Sequence, residues 1–136
     1  MRLVVDTNIL FTYFWKNSFT KKLLLKINLE LFSPDYALEE IKFHMQEILD
    51  KTKISKQEFI ELKREIKDII NFVPLENYSD LLKEALKLSA DMNDIDFIAL
   101  SLKLKCPVWS NDQHLKQQNK IKIFTTRELI NLLSIH

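Results

Sequence analysis

Four short apolar runs, at 3–5, 29–32, 108–109 and 121–124, stand apart from longer stretches in which apolar residues recur at helical spacing. Short runs bounded by polar residues read as buried strands, and the i, i+3, i+4 repeats read as amphipathic helices. The helices predicted in this way cover 17–27, 35–50, 55–71, 78–90, 94–105 and 126–133. Ser55 with Glu58 and Thr125 with Glu128 fit the S/T-x-x-E box, in which a hydroxyl and a carboxylate satisfy free N–H groups at a helix start. Strands separated by helices predict an α/β fold with a mostly parallel central sheet of about four to five strands flanked by helices. At 136 residues the chain has the length of one domain, 1–136, and no linker, repeat or low-complexity tract divides it. The helix pair over 35–71 reads as an insertion or clamp within that domain.

Composition narrows the chemistry by exclusion. Glycine is absent, so neither a phosphate-cradling loop nor a dinucleotide fingerprint can be built. Any phosphate must be met by side chains, a metal ion or helix ends. Lys and Arg number 20 against 19 Asp and Glu, so net charge carries no footprint of a nucleic-acid partner. Regionally, 101–136 holds Lys103, Lys105, Lys116, Lys120, Lys122 and Arg127 against Asp112 and Glu128. That excess tilts mildly towards a polyanion, beside the plainer reading of a solvated face. The single cysteine, Cys106, cannot form an internal disulfide and reads as a small core residue. With no signal-peptide pattern and no long apolar span, the expectation is a cytoplasmic protein without membrane contact.

The placement of the acids is more informative. Asp6 ends the first apolar run, Ser33-Pro34-Asp35 follows the second, and Ser110-Asn111-Asp112 follows the third. In open α/β sheets ligands lie outside the carboxyl ends of the strands, so these groups converge on one edge. On a wheel of the 94–105 helix, Ile95, Ile98 and Leu102 lie within about 100° of Asp94, whereas Asp96 and Lys103 lie about 200° and 180° away. Asp94 therefore faces inward, as an N-cap or a site residue, and Asp96 reads as a surface partner of Lys103. On the 35–50 helix, Glu39 sits opposite the stripe of Leu38, Ile41, Met45 and Ile48. Glu40 lies at its border, one turn before His44. Clustered carboxylates repel unless protonated or neutralised, which implies a hard cation with oxygen ligands, Mg²⁺ or Mn²⁺, and disfavours zinc. Such an ion polarises a phosphoryl oxygen and lowers the pKa of bound water, the chemistry of phosphodiester hydrolysis.

Taken together, VVDTNIL (4–10), LFSPDYALEEI (31–41), NDIDFIALSLKLKCPVWSNDQHL (93–115) and KIFTTRELINLL (122–133) resemble the PIN-domain nucleases, in the expected order along nearly the whole chain. The resemblance implies a catalytic, metal-binding quartet of Asp6, Glu40, Asp94 and Asp112, with Thr7, Asn8 and Ser110 as polar residues beside it. Asp96 and His44 are further candidates by position. Lys105 stands where the family often has glycine. The family includes Mg²⁺- or Mn²⁺-dependent endoribonucleases, many of them VapC-like toxins. The resemblance thus implies an RNA substrate, a homodimer, a small antitoxin partner and the toxin role in a toxin–antitoxin pair. Two alternatives compete. One is a PIN fold without catalysis that binds RNA or protein, opposed by the presence of all four acids. The other is an aspartyl-nucleophile phosphatase of the haloacid-dehalogenase kind, which wants a second aspartate where Asn8 stands.

Overall fold

In the computed structural model, which describes residues 1–26, 28–89 and 91–133, strands and helices alternate along the chain. They are β1 (Arg2–Val5), α1 (Thr7–Phe11), α2 (Phe19–Leu24), β2 (Glu30–Pro34), α3 (Tyr36–Phe43), α4 (Met45–Thr52), α5 (Lys56–Ile69), β3 (Ile70–Val73), α6 (Leu82–Leu88), α7 (Ile95–Leu104), β4 (Val108–Trp109), β5 (Ile123–Phe124) and α8 (Thr126–Leu132). All five strands are parallel, in the order β3-β2-β1-β4-β5. Leu3, Val4 and Val5 are wholly buried, the continuous apolar strand expected where helices cover both faces of a sheet. The strand order reverses at β1, and a crevice opens at such a switch point outside the carboxyl ends of β1 and β4. The ladder carries on into this edge, because Asp6 N–H donates to the Trp109 carbonyl and Ser110 N–H to that of Phe124, each at 3.0 Å.

Both predicted capping boxes form, at Ser55 with Glu58 and at Thr125 with Glu128. Lys105, at φ 55°, takes the left-handed conformation that ends α7, the kind of position glycine usually fills. Several predicted elements are corrected. The 35–50 helix breaks at His44 into α3 and α4, although neither Gly nor Pro marks the spot. There the His44 ring packs edge-on against Phe11 and Phe43, and its Nδ1 contacts Glu47 Oε2 at 3.0 Å. The end of the predicted 55–71 helix is β3, which pairs with β2 from Ile70 to Val73. Ile70 continues the helical spacing of Phe59 and Ile66, so periodicity alone does not reveal the change. The 78–90 segment begins with short 3₁₀ turns before α6, and α1 was not anticipated. The α2 helix spans only Phe19–Leu24, started by Ser18, whose hydroxyl accepts from Lys21 N–H. Ile27 and Ala90, the predicted ends of two helices, lie outside the described residues.

Candidate active site

Asp6 leaves β1 at the switch point, half-buried. Burial pushes its carboxyl above the usual carboxylate range, and the nearby charges of Asp94 and Asp112 push it further. Hydrogen bonds from the Ser110 hydroxyl and the Thr7 N–H partly offset this. Ser110 is itself wholly buried just after β4, and its Oγ donates to Asp6 Oδ2 at 2.7 Å while accepting from Asp112 N–H at 3.0 Å. One hydroxyl therefore ties the β1 acid to the loop carrying Asp112. Asp112 in turn accepts from His114 N–H at 2.9 Å, starting a 3₁₀ turn.

Glu40 enters from α3. The buried Thr7 hydroxyl donates to its Oε1 at 2.6 Å, fixing one carboxylate oxygen towards β1. Burial raises its proton affinity, and so do Asp6 and Asp96; the Thr7 bond and nearby His44 act the other way. Glu39 is exposed on the far side of the same helix. Asp94 is buried, at 7 % exposure, in the N-cap position of α7, but its side chain makes no capping bond. Instead it accepts from Ser89 Oγ at 3.3 Å and faces His114 Nδ1 at 3.5 Å. Its carboxyl is also raised, by burial first and then by Asp91 and Asp112, against the pull of His114 and Ser89. The four acids are thus coupled through space: Asp6 with Asp94, Asp112 and Glu40, and Asp94 with Asp112.

The supporting candidates divide. Thr7 and Ser110 position carboxylates, whereas Asn8 is exposed and makes no side-chain hydrogen bond among the described residues. His44 pairs with Glu47 rather than entering the cluster. The reading of Asp96 as a surface partner of Lys103 is corrected. The buried Tyr78 hydroxyl donates to Asp96 Oδ2 at 2.5 Å, and Lys103 pairs with Asp80 at 3.0 Å. The reason is tertiary: α6 and the 3₁₀ turn before it cover that side of α7. Burial and the Asp96 carboxylate together push the Tyr78 hydroxyl's pKa upward.

Two residues escaped the sequence reading. Asp91, Asp94 and His114 bring one ligand atom each within 4.8 Å of one another. The three-residue spacing of Asp91 and Asp94 is a usable signal, since it sets two acids on one side of a turn. His114 is placed there only by the packing of the β4 loop on the start of α7. Its imidazole sets a nitrogen beside the carboxylate oxygens of Asp91 and Asp94. Among the described residues no Lys or Arg lies within 4.0 Å of Asp6, Glu40, Asp94 or Asp112. Asp6, Glu40 and Asp94, with raised proton affinity and each accepting from a hydroxyl, suit a divalent ion.

The comparisons agree with this architecture. The crystal structure of VapBC2 from Rickettsia felis, bound to a DNA fragment from their promoter, contains a chain that superposes with a TM-score of 0.66. The match covers 92 % of this chain and 98 % of that one at 16 % identity, a likeness of fold. No curated protein matches the sequence. The family model for the PIN domain matches residues 4–133, and the chain therefore belongs to the PIN-domain family.

Proposed function

We propose that this protein is a divalent-metal-dependent endoribonuclease that hydrolyses RNA phosphodiester bonds at the β1–β4 edge, with Mg²⁺ or Mn²⁺ as its ion. The observation that carries the reading is the convergence of Asp6, Glu40, Asp94 and Asp112 from separate elements, with no lysine or arginine among the described residues to neutralise them. Asp6, Glu40, Asp94 and Asp112 are the residues proposed to hold the ion; among the described residues, the ligand atoms already gathered within 4.8 Å of one another are those of Asp91, Asp94 and His114. When bound, the ion supplies Lewis-acid polarisation of the phosphate and a water of lowered pKa. The chain's own work is orientation. Ser110 holds Asp6 and the Asp112 loop in one arrangement, and Thr7 fixes the near oxygen of Glu40. Hydroxyl donors of this kind set the direction of a carboxylate without cancelling its charge.

The VapBC2 likeness supports reading the protein as the toxin of a toxin–antitoxin pair with a small antitoxin partner; the homodimeric state and the cytoplasmic setting belong to the proposal through the family resemblance alone. No described helix is long and apolar enough to cross a membrane. The test is purified protein with a mixed RNA pool, with and without Mn²⁺, beside Asp6→Asn. Internal cleavage that requires metal and is lost in the variant is the expected result. Cleavage by Asp6→Asn at the wild-type rate would sink the nuclease reading and favour a binding module.

A further inference from the structure

The α5 helix carries four cations and four acids, yet it does not interleave them. On a wheel, Lys56, Lys63, Arg64 and Lys67 fall within an arc of about 100°, and Glu58, Glu61, Glu65 and Asp68 gather at about 140° to 220° from Lys63. A solvated helix usually mixes signs so that i, i+4 neighbours attract; here Lys63 faces Lys67 and Glu61 faces Glu65, and Arg64 with Asp68, at the border of the two stripes, is an opposite-sign pair at that spacing. The basic stripe borders a groove of about 380 Å³ between α3–α4 and α5, floored by Met45 and Ile60, with Lys42 on the opposite wall. Among the described residues none of Lys42, Lys63, Arg64 and Lys67 has an ion-pair partner within 4.0 Å. Lys63 responds to the crowding: burial and then the charges of Lys67 and Lys42 lower its pKa, opposed only by Glu39.

This groove lies one helix away from the acids. On α3, Lys42 and Glu40 are about 160° apart, on opposite flanks of a helix roughly 10–12 Å wide. Phe43 stands on the outer crest between them, beside Glu39, and is 83 % exposed. We propose that the α3–α5 groove holds the backbone of single-stranded RNA on its way to the acid edge, its phosphates on Lys42, Lys63, Arg64 and Lys67 and a base stacked on Phe43. Unpaired cations track a polyanion, and a bare aromatic ring on the path to a phosphodiester-cutting site suits a base rather than an acidic peptide. The proposal rests on the nuclease reading for the direction of the strand, and its test separates the two.

The full chain is titrated with a labelled single-stranded RNA of about 12 nucleotides in EDTA, followed by fluorescence anisotropy from about 50 to 200 mM KCl. K63Q/K67Q should bind about 10-fold more weakly at the lowest salt, with a salt slope shallower by about 1.4, as two lost phosphate contacts require. Phe43→Ala should weaken binding about 5- to 10-fold at unchanged slope. E61Q/E65Q, on the acidic stripe, should bind at least as well as wild type. Unchanged affinity and slope in K63Q/K67Q, with a wild-type melting curve, would overturn the proposal. So would loss of self-association or of polyglutamate binding in its place, which would make the groove a protein interface. Mn²⁺-dependent cleavage is read in parallel. Groove-dependent binding without cleavage by the wild type would uphold the groove and remove the nuclease reading. Equal KM for long RNA in wild type and K63Q/K67Q would do the reverse.

Discussion

At the β1–β4 edge, Asp6, Glu40 and Asp94 are held above the usual carboxylate range by burial and by one another. On the outer helices and turns the same residue types are held below it: Glu47 by Lys51 and His44, Asp80 by Lys103, and Glu128, at about 2, by Lys116. At these three peripheral positions an acid is met by one of the chain's own lysines, whereas among the described residues no lysine or arginine meets the acids at the switch point of the sheet. On the proposed reading, a cation bound at this edge would relieve the repulsion between its acids.

The largest break of this contrast should come from removing a ligand charge. Asp6→Asn and Asp94→Asn should each lower single-turnover RNA cleavage at least about 100-fold, beyond the 10- to 100-fold typical of losing a supporting partner. Ser110→Ala keeps all four acids and removes only the hydroxyl that orients Asp6 and the Asp112 loop. Its loss should fall in that roughly 10- to 100-fold range, read as weaker Mn²⁺ affinity by calorimetry, with a stability cost of about 1–3 kcal/mol for disrupting a buried polar link. A Ser110→Ala protein with wild-type metal affinity would remove the hydroxyl from the account.

The contrast also has a sign in pH. The edge acids bind protons more tightly folded than unfolded, so in EDTA their contribution falls as pH rises from about 4 through their folded values, and stays low above them. Glu128 behaves oppositely, losing its contribution as pH falls from about 4.5 towards about 2. Metal-free protein should therefore melt lower at neutral pH than expected from its peripheral acids alone, its melting temperature falling over part of the rise from about pH 4 to pH 7, with a smaller fall in Asp6→Asn. A melting temperature that rises steadily over that interval would contradict the assignment. Smaller still, Asp96→Asn and Tyr78→Phe should each cost about 1 kcal/mol, and less than their sum when combined, because they share one hydrogen bond. Cleavage should stay near wild type in both. Asp80→Asn, on the paired periphery, should leave cleavage and melting unchanged within error.

Asp6 is legible in the sequence because it follows directly on an apolar strand, and Asp112 because it closes the Ser110-Asn111-Asp112 stretch just beyond another; strand ends are where such sheets present ligands. The inward side of Asp94 is legible from helical spacing. Asp96 is not, because a wheel distinguishes faces but does not know that α6 and Tyr78 cover one of them. His114 and β3 are invisible for a related reason: each is set by a partner far along the chain, the start of α7 and the edge of β2. Charge misleads most. The window 101–136 looks basic, yet Lys103, Lys116 and Lys120 are met by Asp80, Glu128 and Glu84. The α5 helix is balanced in composition, and its stripe emerges only when the charges are placed around its axis.

The central claim, that the edge acids are an uncompensated set awaiting a cation, is tested most directly by melting wild type and Asp6→Asn at neutral pH with and without Mn²⁺. Mn²⁺ at 100 times its dissociation constant should stabilise the wild type by about 2.7 kcal/mol. It should barely move Asp6→Asn, which should itself melt above the wild type in EDTA. A wild type indifferent to Mn²⁺, or a variant stabilised equally by it, would contradict the account.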